Sequence, residues 1–184
     1  MQLRFEKNRF KTVSVICVVV FSTTVFTGIF LYKVGFRFNL TPSLPIGIWK
    51  IDKAFTQIER DDYVWFTPTK EMASFAIERG YLKESKNCPN NTIPMLKQVY
   101  GLPGDEFSFF KDVISINNTT IKNAKRRQYD SKERPMPQIE GGIVQDSHLF
   151  VLTLNSHSFD SRYFGPIPIK NIIGTAKPVI LWKN

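Results

Sequence analysis

Residues 93–105 read IPMLKQVYGLPGD, an apolar run that ends in a turn. Glycine, proline and aspartate are the residues that most often close such runs in turns. Because side chains alternate along a strand, Lys97 falls on the same face as Ile93, Met95 and Val99. The segment therefore predicts a β-strand that carries one lysine on an otherwise apolar face. Pro94 cannot donate to a ladder, so the strand is expected to have one free edge there.

Similar short runs lie on both sides of this segment, and close spacing of short strands favours an antiparallel β fold. The predicted strands are Tyr63–Phe66, Met95–Tyr100, Glu106–Phe110, the Val113–Ile116 and Thr119–Ile121 hairpin, Leu149–Leu154, Ile172–Ala176 and Val179–Trp182. One helix is predicted around Met72, with Thr69 as N-cap and Gly80 as its stop. The polar stretch 123–142 is predicted to be a long loop. The expected fold class is mainly β.

The N-terminus has the composition of a membrane span. Residues 12–32 are 21 uncharged residues, about the length needed to cross the hydrocarbon core as a helix. Four basic residues against one glutamate precede them, which predicts a cytoplasmic segment 1–11, a transmembrane anchor 12–32 and an exported domain 33–184. A cleaved signal peptide has the same charge order. The anchor is favoured because no alanine occurs before Ala54 and the run exceeds the usual h-region of about 7–15 residues.

The composition excludes several classes of site. Two cysteines and two histidines lack zinc-ligand spacing, and no glycine-rich nucleotide loop is present. The chain carries a net charge of +9, but the basic run 122–127 lies in the polar loop and on the exported side, so nucleic acid is not an expected partner. No metal or other cofactor is implied.

Two arrangements of residues suggest nucleophilic catalysis. Residues 157–160 contain His, Ser and Asp, but they lie too close in sequence to form a relay easily. The other arrangement is Ser-Lys, because desolvation on an apolar face makes Lys97 able to accept a proton near neutral pH. Each half also has a bland interpretation: Lys97 can reach water past its apolar stem, and Ser43 with Thr41 can belong to a linker between prolines.

Three blocks in one order decide between these interpretations. They are TPSLPIG at 41–47, LKQVYGLPGD at 96–105 and NSHSFDSRYFGPI at 155–167, behind the N-terminal span. This order resembles the type I signal peptidase family (peptidase family S26), and especially its conjugative-transfer branch, the TraF proteases that mature pilin subunits. The second and third blocks are specific, whereas the serine block alone is not.

The resemblance implies a role for each matching residue. Ser43 resembles the nucleophile and Lys97 the general base, while Thr41 resembles the hydroxyl that joins the Ser43 N–H in the oxyanion hole. Ser158 falls where the family places a serine that orients the lysine. The D-S-R block, in which the aspartate and arginine brace the site, is Asp160, Ser161 and Arg162; the turn after the lysine strand is Gly101, Pro103, Gly104 and Asp105.

The chain departs from general signal peptidases in two places. Leu44 and Pro45 directly follow the serine, with Gly47 beyond, which matches the conjugative-transfer branch. Residues 153–157 replace the usual G-D-N-R-D run, and the chain has no room for the large extra β domain of the bigger enzymes.

The resemblance implies a membrane-anchored serine endopeptidase with an antiparallel β catalytic domain of signal-peptidase type, located at the outer face of the bacterial inner membrane. Its partners would be membrane lipid, through residues 12–32, and a precursor protein bound as an extended strand with small residues before the cut. Conjugative pilin maturation is the favoured role. The alternatives are a general leader peptidase and a non-enzymatic exported β domain of a secretion apparatus.

Overall fold

The computed structural model describes the backbone of residues 2–182 and the side chains from residue 12 onward. The helices are α1 Gln2–Lys33, α2 Lys70–Glu78 and α3 Ser161–Phe164. The strands are β1 Phe36–Asn39, β2 Gly47–Asp52, β3 Tyr63–Phe66, β4 Met95–Gly101, β5 Glu106–Phe110, β6 Val113–Ile116, β7 Thr119–Lys125, β8 Gly142–Ile143, β9 His148–Leu152, β10 Ile167–Pro168 and β11 Ile172–Leu181. The chain divides into two compact units, Met1–Arg37 and Phe38–Asn184.

The first unit is dominated by α1. Within it, Thr12–Lys33 is long and apolar enough to cross a membrane, a property that N-terminal signal sequences share. The hydroxyls of Thr23 and Thr24 donate to the carbonyls of Val19 and Val20, at 2.8 and 2.9 Å, which satisfies these polar groups inside an apolar helix. In the predicted segment 1–11, Met1 and the side chains of residues 2–11 lie outside the described part of the chain. Lys183 and Asn184, at the end of the predicted domain, also lie outside it.

The fold is antiparallel β, as the sequence predicts. A seven-stranded sheet has the order β1-β2-β11-β3-β4-β9-β10, and a four-stranded sheet has the order β7-β6-β5-β8. Neighbouring strands run antiparallel from β2 to β10 and throughout the smaller sheet.

Local signals identified several elements and misplaced the bounds of others. Strand β7 extends to Lys125, so residues 123–125 of the predicted loop belong to a strand. Thr69 caps α2 by accepting a hydrogen bond from the N–H of Met72, as predicted. The predicted strands Ile172–Ala176 and Val179–Trp182 are one strand, β11, with a register shift between Pro178 and Ile180. Proline removes one ladder donor, but a bulge at that point lets the strand continue.

Strand β4 lies in the interior of the larger sheet, and both of its faces pack against apolar clusters. Met95 and Val99 pack into an apolar cluster with α2 and α3 residues, and Leu96 packs on the other side with Leu44 and Trp49. Lys97 lies on the Met95–Val99 face, as predicted. Ile93 does not continue that face, because it precedes the strand and is exposed.

Half of β4 has an open edge. Residues 95–98 pair with β3 on one side, whereas β9 pairs on the other side only from Gln98 onward. Among the described strands, none pairs with residues 95–97 on the β9 side. The free edge predicted beside Pro94 is therefore confirmed, and it places unsatisfied backbone groups next to Lys97.

Candidate active site

Lys97 is a buried lysine in the middle of a sheet. Only 4% of its surface is exposed, and its neighbours on the strand face, Met95 and Val99, are apolar. Its Nζ donates a hydrogen bond of 2.7 Å to Oγ of Ser158, which is also buried. Burial without a directly paired carboxylate is costly for an ammonium group, so the environment favours the neutral amine.

Burial lowers the pKa of Lys97 from 10.5 to about 8. The charge of Asp160 acts against this shift, and the charge of Arg162 supports it. With a pKa of about 8, roughly one molecule in ten carries the neutral amine at pH 7, whereas an ordinary lysine would be neutral in roughly one in a few thousand. The side chain is therefore suited to accept a proton.

Ser158 is held in place by its neighbour. Phe159 packs in an aromatic group, with ring centroids 5.4 Å from both Phe75 and Tyr81 and 5.1 Å from Phe164. Such contacts fix the backbone of the loop that presents the Ser158 hydroxyl to Lys97.

Asp160 and Arg162 form a fully buried ion pair behind this loop. The guanidinium donates to both carboxylate oxygens of Asp160, at 2.7 and 2.6 Å. It also donates to the backbone carbonyls of Thr153 and Asn155, at 3.1 and 2.7 Å. The pair thus fastens the chain on both sides of Ser158, while Asp160 also caps α3 by accepting from the Arg162 N–H.

Ser161 has a different task from its neighbours in the block. Its hydroxyl accepts a hydrogen bond of 3.0 Å from the N–H of Val151 in β9. It therefore ties α3 to the sheet, and it makes no hydrogen bond to Lys97 within the described residues.

Ser43 lies in the turn between β1 and β2, where its hydroxyl is paired with that of Thr41. Its Oγ is 3.1 Å from Oγ1 of Thr41, and in residues 2–182 no hydrogen bond joins it to Lys97. Thr41 donates its own hydroxyl proton to Oδ1 of Asn39, at 2.7 Å. In this arrangement the proton of Thr41 is engaged and the Ser43 hydroxyl is the donor between the two.

Asn39 organises the whole turn and was not identified from the sequence. Its amide donates to the carbonyls of Thr41, Leu44 and Pro45, each at 3.1 Å, and its Oδ1 accepts from the N–H of Thr41. One buried asparagine therefore satisfies polar groups on both sides of Ser43. An Asn three residues before a proline is consistent with a turn, but only the fold shows these contacts.

Four of the residues that the motifs single out line one cleft, whereas the D-S-R block lies outside its wall. Its volume is about 600 Å³, and Ser43, Lys97, Thr41 and Ser158 lie in its wall. His157 also borders the cleft, but it is exposed; Ser158 is paired with Lys97 and Asp160 with Arg162, so these three do not form a relay. Among the described residues, no group of three His, Cys, Asp or Glu side chains is placed to hold a metal ion.

The family model for signal peptidases, peptidase family S26, matches residues 7–182. The chain belongs to this family. It is 37% identical to the conjugal transfer protein TraF of Agrobacterium fabrum over 79% of this chain and 82% of the relative. It is 31% identical to a plasmid transfer protein TraF of Escherichia coli over 82% of this chain and 86% of the relative.

A solved signal peptidase I from Enterococcus faecalis is 21% identical, with a TM-score of 0.39 over 66% of this chain and 97% of that protein. Membership of this family makes the chain a peptidase. The two TraF relatives confirm the likeness to the conjugative-transfer branch. Peptidases of this family act on precursor proteins, and the apolar N-terminal helix together with the family indicates a membrane-anchored protein.

Proposed function

We propose that this S26 peptidase is a Ser-Lys endopeptidase in which Ser43 is the nucleophile and Lys97 the general base. The observation that carries the proposal is the state of Lys97: a buried amine with a pKa of about 8, bonded to Ser158, in the cleft that Ser43 also lines. A general base works best when its pKa lies near the working pH.

The reaction needs one rearrangement in the turn. Rotation of the Ser43 side chain breaks its hydrogen bond to Thr41 and turns Oγ toward the cleft, where Lys97 takes the proton. Ser43 Oγ then bonds to the substrate carbonyl carbon, the peptide C–N bond breaks, and Lys97 returns the proton to the leaving amine. Water then attacks the acyl-enzyme while Lys97 takes its proton. The ester bond to Ser43 breaks, and Lys97 returns the proton to Oγ of Ser43.

The oxyanion is stabilised by the backbone N–H of Ser43 and by the Thr41 hydroxyl. For Thr41 to donate, its proton has to leave Oδ1 of Asn39, which becomes easier once Ser43 no longer donates to Thr41. A single oxyanion donor lowers the free energy of the transition state by about 2.7–4 kcal/mol.

The open edge of β4 suits an extended substrate. Backbone groups of residues 95–97 are free on the side away from β3, so a peptide can pair there and present a carbonyl to Ser43. The family likeness favours small residues before the cut. Likeness to the TraF relatives favours a pilin precursor of a conjugation system as the substrate, with the N-terminus in the cytoplasm and the domain across the inner membrane.

The test uses the full-length protein in detergent with an active-site fluorophosphonate and a candidate precursor. Wild type is expected to be labelled at Ser43 and to cleave the precursor, whereas Ser43→Ala does neither. Ser108→Ala, in the smaller sheet, serves as the control and is expected to keep both activities. Cleavage by Ser43→Ala would refute the proposed nucleophile.

A further inference from the structure

A second hollow adjoins the main cleft at Ser43. Its volume is about 480 Å³, and it shares Pro42, Ser43 and Asn155 with the cleft. The rest of its wall differs, because Tyr63, Leu154 and Trp182 line the hollow, whereas Lys97 and Met95 line only the cleft. The Ser43 turn therefore forms the ridge between two concavities.

The hollow exposes large apolar side chains. Leu154 is 50% exposed and Trp182 is 45% exposed, while Tyr63 of β3 is half-buried. The backbone of Trp182 is fixed beside the turn, since its backbone N–H donates a hydrogen bond of 3.0 Å to the carbonyl of Ile46. Large apolar side chains held open around a concavity favour an apolar ligand.

The position of Ser43 on the ridge suggests what that ligand is. A peptide cut at Ser43 extends in both directions from the attacked carbonyl, and one half lies in the cleft beside Lys97. We propose that the hollow binds the half that follows the scissile bond and prefers an aliphatic or aromatic residue directly after the cut. This inference rests on the proposed function of Ser43 and Lys97.

The same site then governs which amine leaves and which amine can enter. During acylation the C–N bond breaks, Lys97 gives its proton to the departing nitrogen, and the new N-terminus lies in the hollow. In the reverse direction an amine seated there attacks the acyl-enzyme, the Ser43 ester bond breaks, a peptide bond forms and Lys97 takes the proton. An apolar first residue favours both directions equally.

The direct test compares leaving groups in the full-length protein. Three probes share an acyl part that ends in Ala-X-Ala and continue with leucine, with serine or with a methyl ester, which places no side chain after the cut. Trp182→Ala and Leu154→Ala are expected to lower kcat/KM for the leucine probe about tenfold, the effect of losing part of one buried apolar side chain. The kcat/KM for the methyl ester is expected to change less than twofold.

A matched control and a second readout complete the test. Val179→Ala, in β11 three residues before Trp182 and about as exposed but outside the hollow, is expected to leave kcat/KM for all three probes unchanged. Leucinamide added to the acyl-enzyme formed from the methyl ester is expected to divert more of it to the amide product than glycinamide does, and Trp182→Ala is expected to abolish that difference.

Two results would overturn the inference: equal rates of wild type on the leucine and serine probes, or an equal loss on all probes in both hollow variants. Neither result touches the nucleophile. Failure of the proposed function has its own signature, which is enzymatic cleavage of the methyl ester by Ser43→Ala.

Discussion

The side-chain amide of Asn155 donates a hydrogen bond of 2.9 Å to the carbonyl oxygen of Pro42, which precedes it by 113 residues. The carbonyl of Asn155 in turn accepts 2.7 Å from the buried guanidinium of Arg162. The residue before Ser43 is therefore connected, through one asparagine, to the ion pair that fastens the Ser158 loop. This connection holds the two halves of the proposed dyad on one frame.

Asn155→Asp tests that connection. The substitution keeps Oδ1, which accepts from the N–H of His157, but replaces the donor to Pro42 with a carboxylate oxygen that repels the carbonyl. We expect kcat to fall about a hundredfold, the usual effect of a small misplacement of reacting groups. The matched control is Asn90→Asp, which removes a similar 2.7 Å bond to the Pro68 carbonyl and is expected to keep activity. Equal activity of the two variants would contradict the positioning role.

The pH dependence of kcat/KM tests Lys97 as the base. Because the neutral amine is the active form, the rate is expected to rise with pH and to level off above an apparent pKa of about 8. Lys97→Arg keeps the charge, but a guanidinium does not deprotonate in proteins, so its rate is expected to fall to background. Near wild-type cleavage by Lys97→Arg would rule out the Ser-Lys mechanism.

The lowered pKa also predicts that Lys97 costs the fold stability. The unfolded chain binds the proton up to pH 10.5 and the folded chain only to about 8, so the cost is full at pH 7 and is relieved as pH rises through this window. At pH 7 the shift corresponds to about 3 kcal/mol, and losing the bond to Ser158 offsets about 1 kcal/mol of that. Lys97→Met is therefore expected to stabilise the inactive protein by about 2 kcal/mol in urea unfolding at pH 7, and less at pH 10. A destabilised Lys97→Met would show that the lysine is not desolvated.

Asp160→Asn distinguishes the contribution of this carboxylate to stability from its effect on the pKa of Lys97. Removing the carboxylate leaves Arg162 buried without its partner, which usually costs about 3–5 kcal/mol of stability. The charge of Asp160 also holds the pKa of Lys97 up, so the surviving activity is expected to show a pH profile shifted toward acid. Asp130→Asn breaks another ion pair, with Arg134, and is expected to leave the pH profile in place. A profile that stays unchanged in Asp160→Asn would show that the carboxylate acts on stability alone.

The orientation of the chain in the membrane is a separate prediction. The basic N-terminal segment and the uncharged span predict that a reporter enzyme fused after Asn184 is active only on the outer side. A C-terminus protected from added protease in intact spheroplasts would contradict this, and a mature N-terminus near residue 33 would show that the span is cleaved.

Much of the fold could be predicted because its signals are local. Alternation and turn residues identified β3, β5 and the β6–β7 hairpin with their observed bounds at most ends, and Pro94 correctly marked the open edge of β4. The short elements β8, β10 and α3 were missed, since two to four residues carry too little periodicity to stand out. Strand β2 was missed because its pattern follows the proline-rich serine block directly.

The residues of the candidate site could also be predicted only in part. Motif order identified Ser43, Lys97 and Ser158 as the residues of interest, and the apolar face explained why a lysine there is unusual. Asn39 and Asn155 were beyond prediction, because their partners are backbone carbonyls brought close only by the fold. The exposed Trp182 carries no local signal, since its meaning depends on the Ser43 turn beside it.

The hydrogen bond between Ser43 and Thr41 affects how fast inhibitors would react with this protein. This bond is exposed, and side chains at a surface rotate within picoseconds to nanoseconds, far less time than a turnover, so the bond sets a fraction of competent molecules and imposes no delay. A reagent that reacts with the hydroxyl would therefore follow simple second-order kinetics without a lag. Its rate would scale with that fraction multiplied by the fraction of unprotonated Lys97. Replacing Thr41 by valine would raise the first factor, but it would also remove the hydroxyl that is proposed to stabilise the oxyanion.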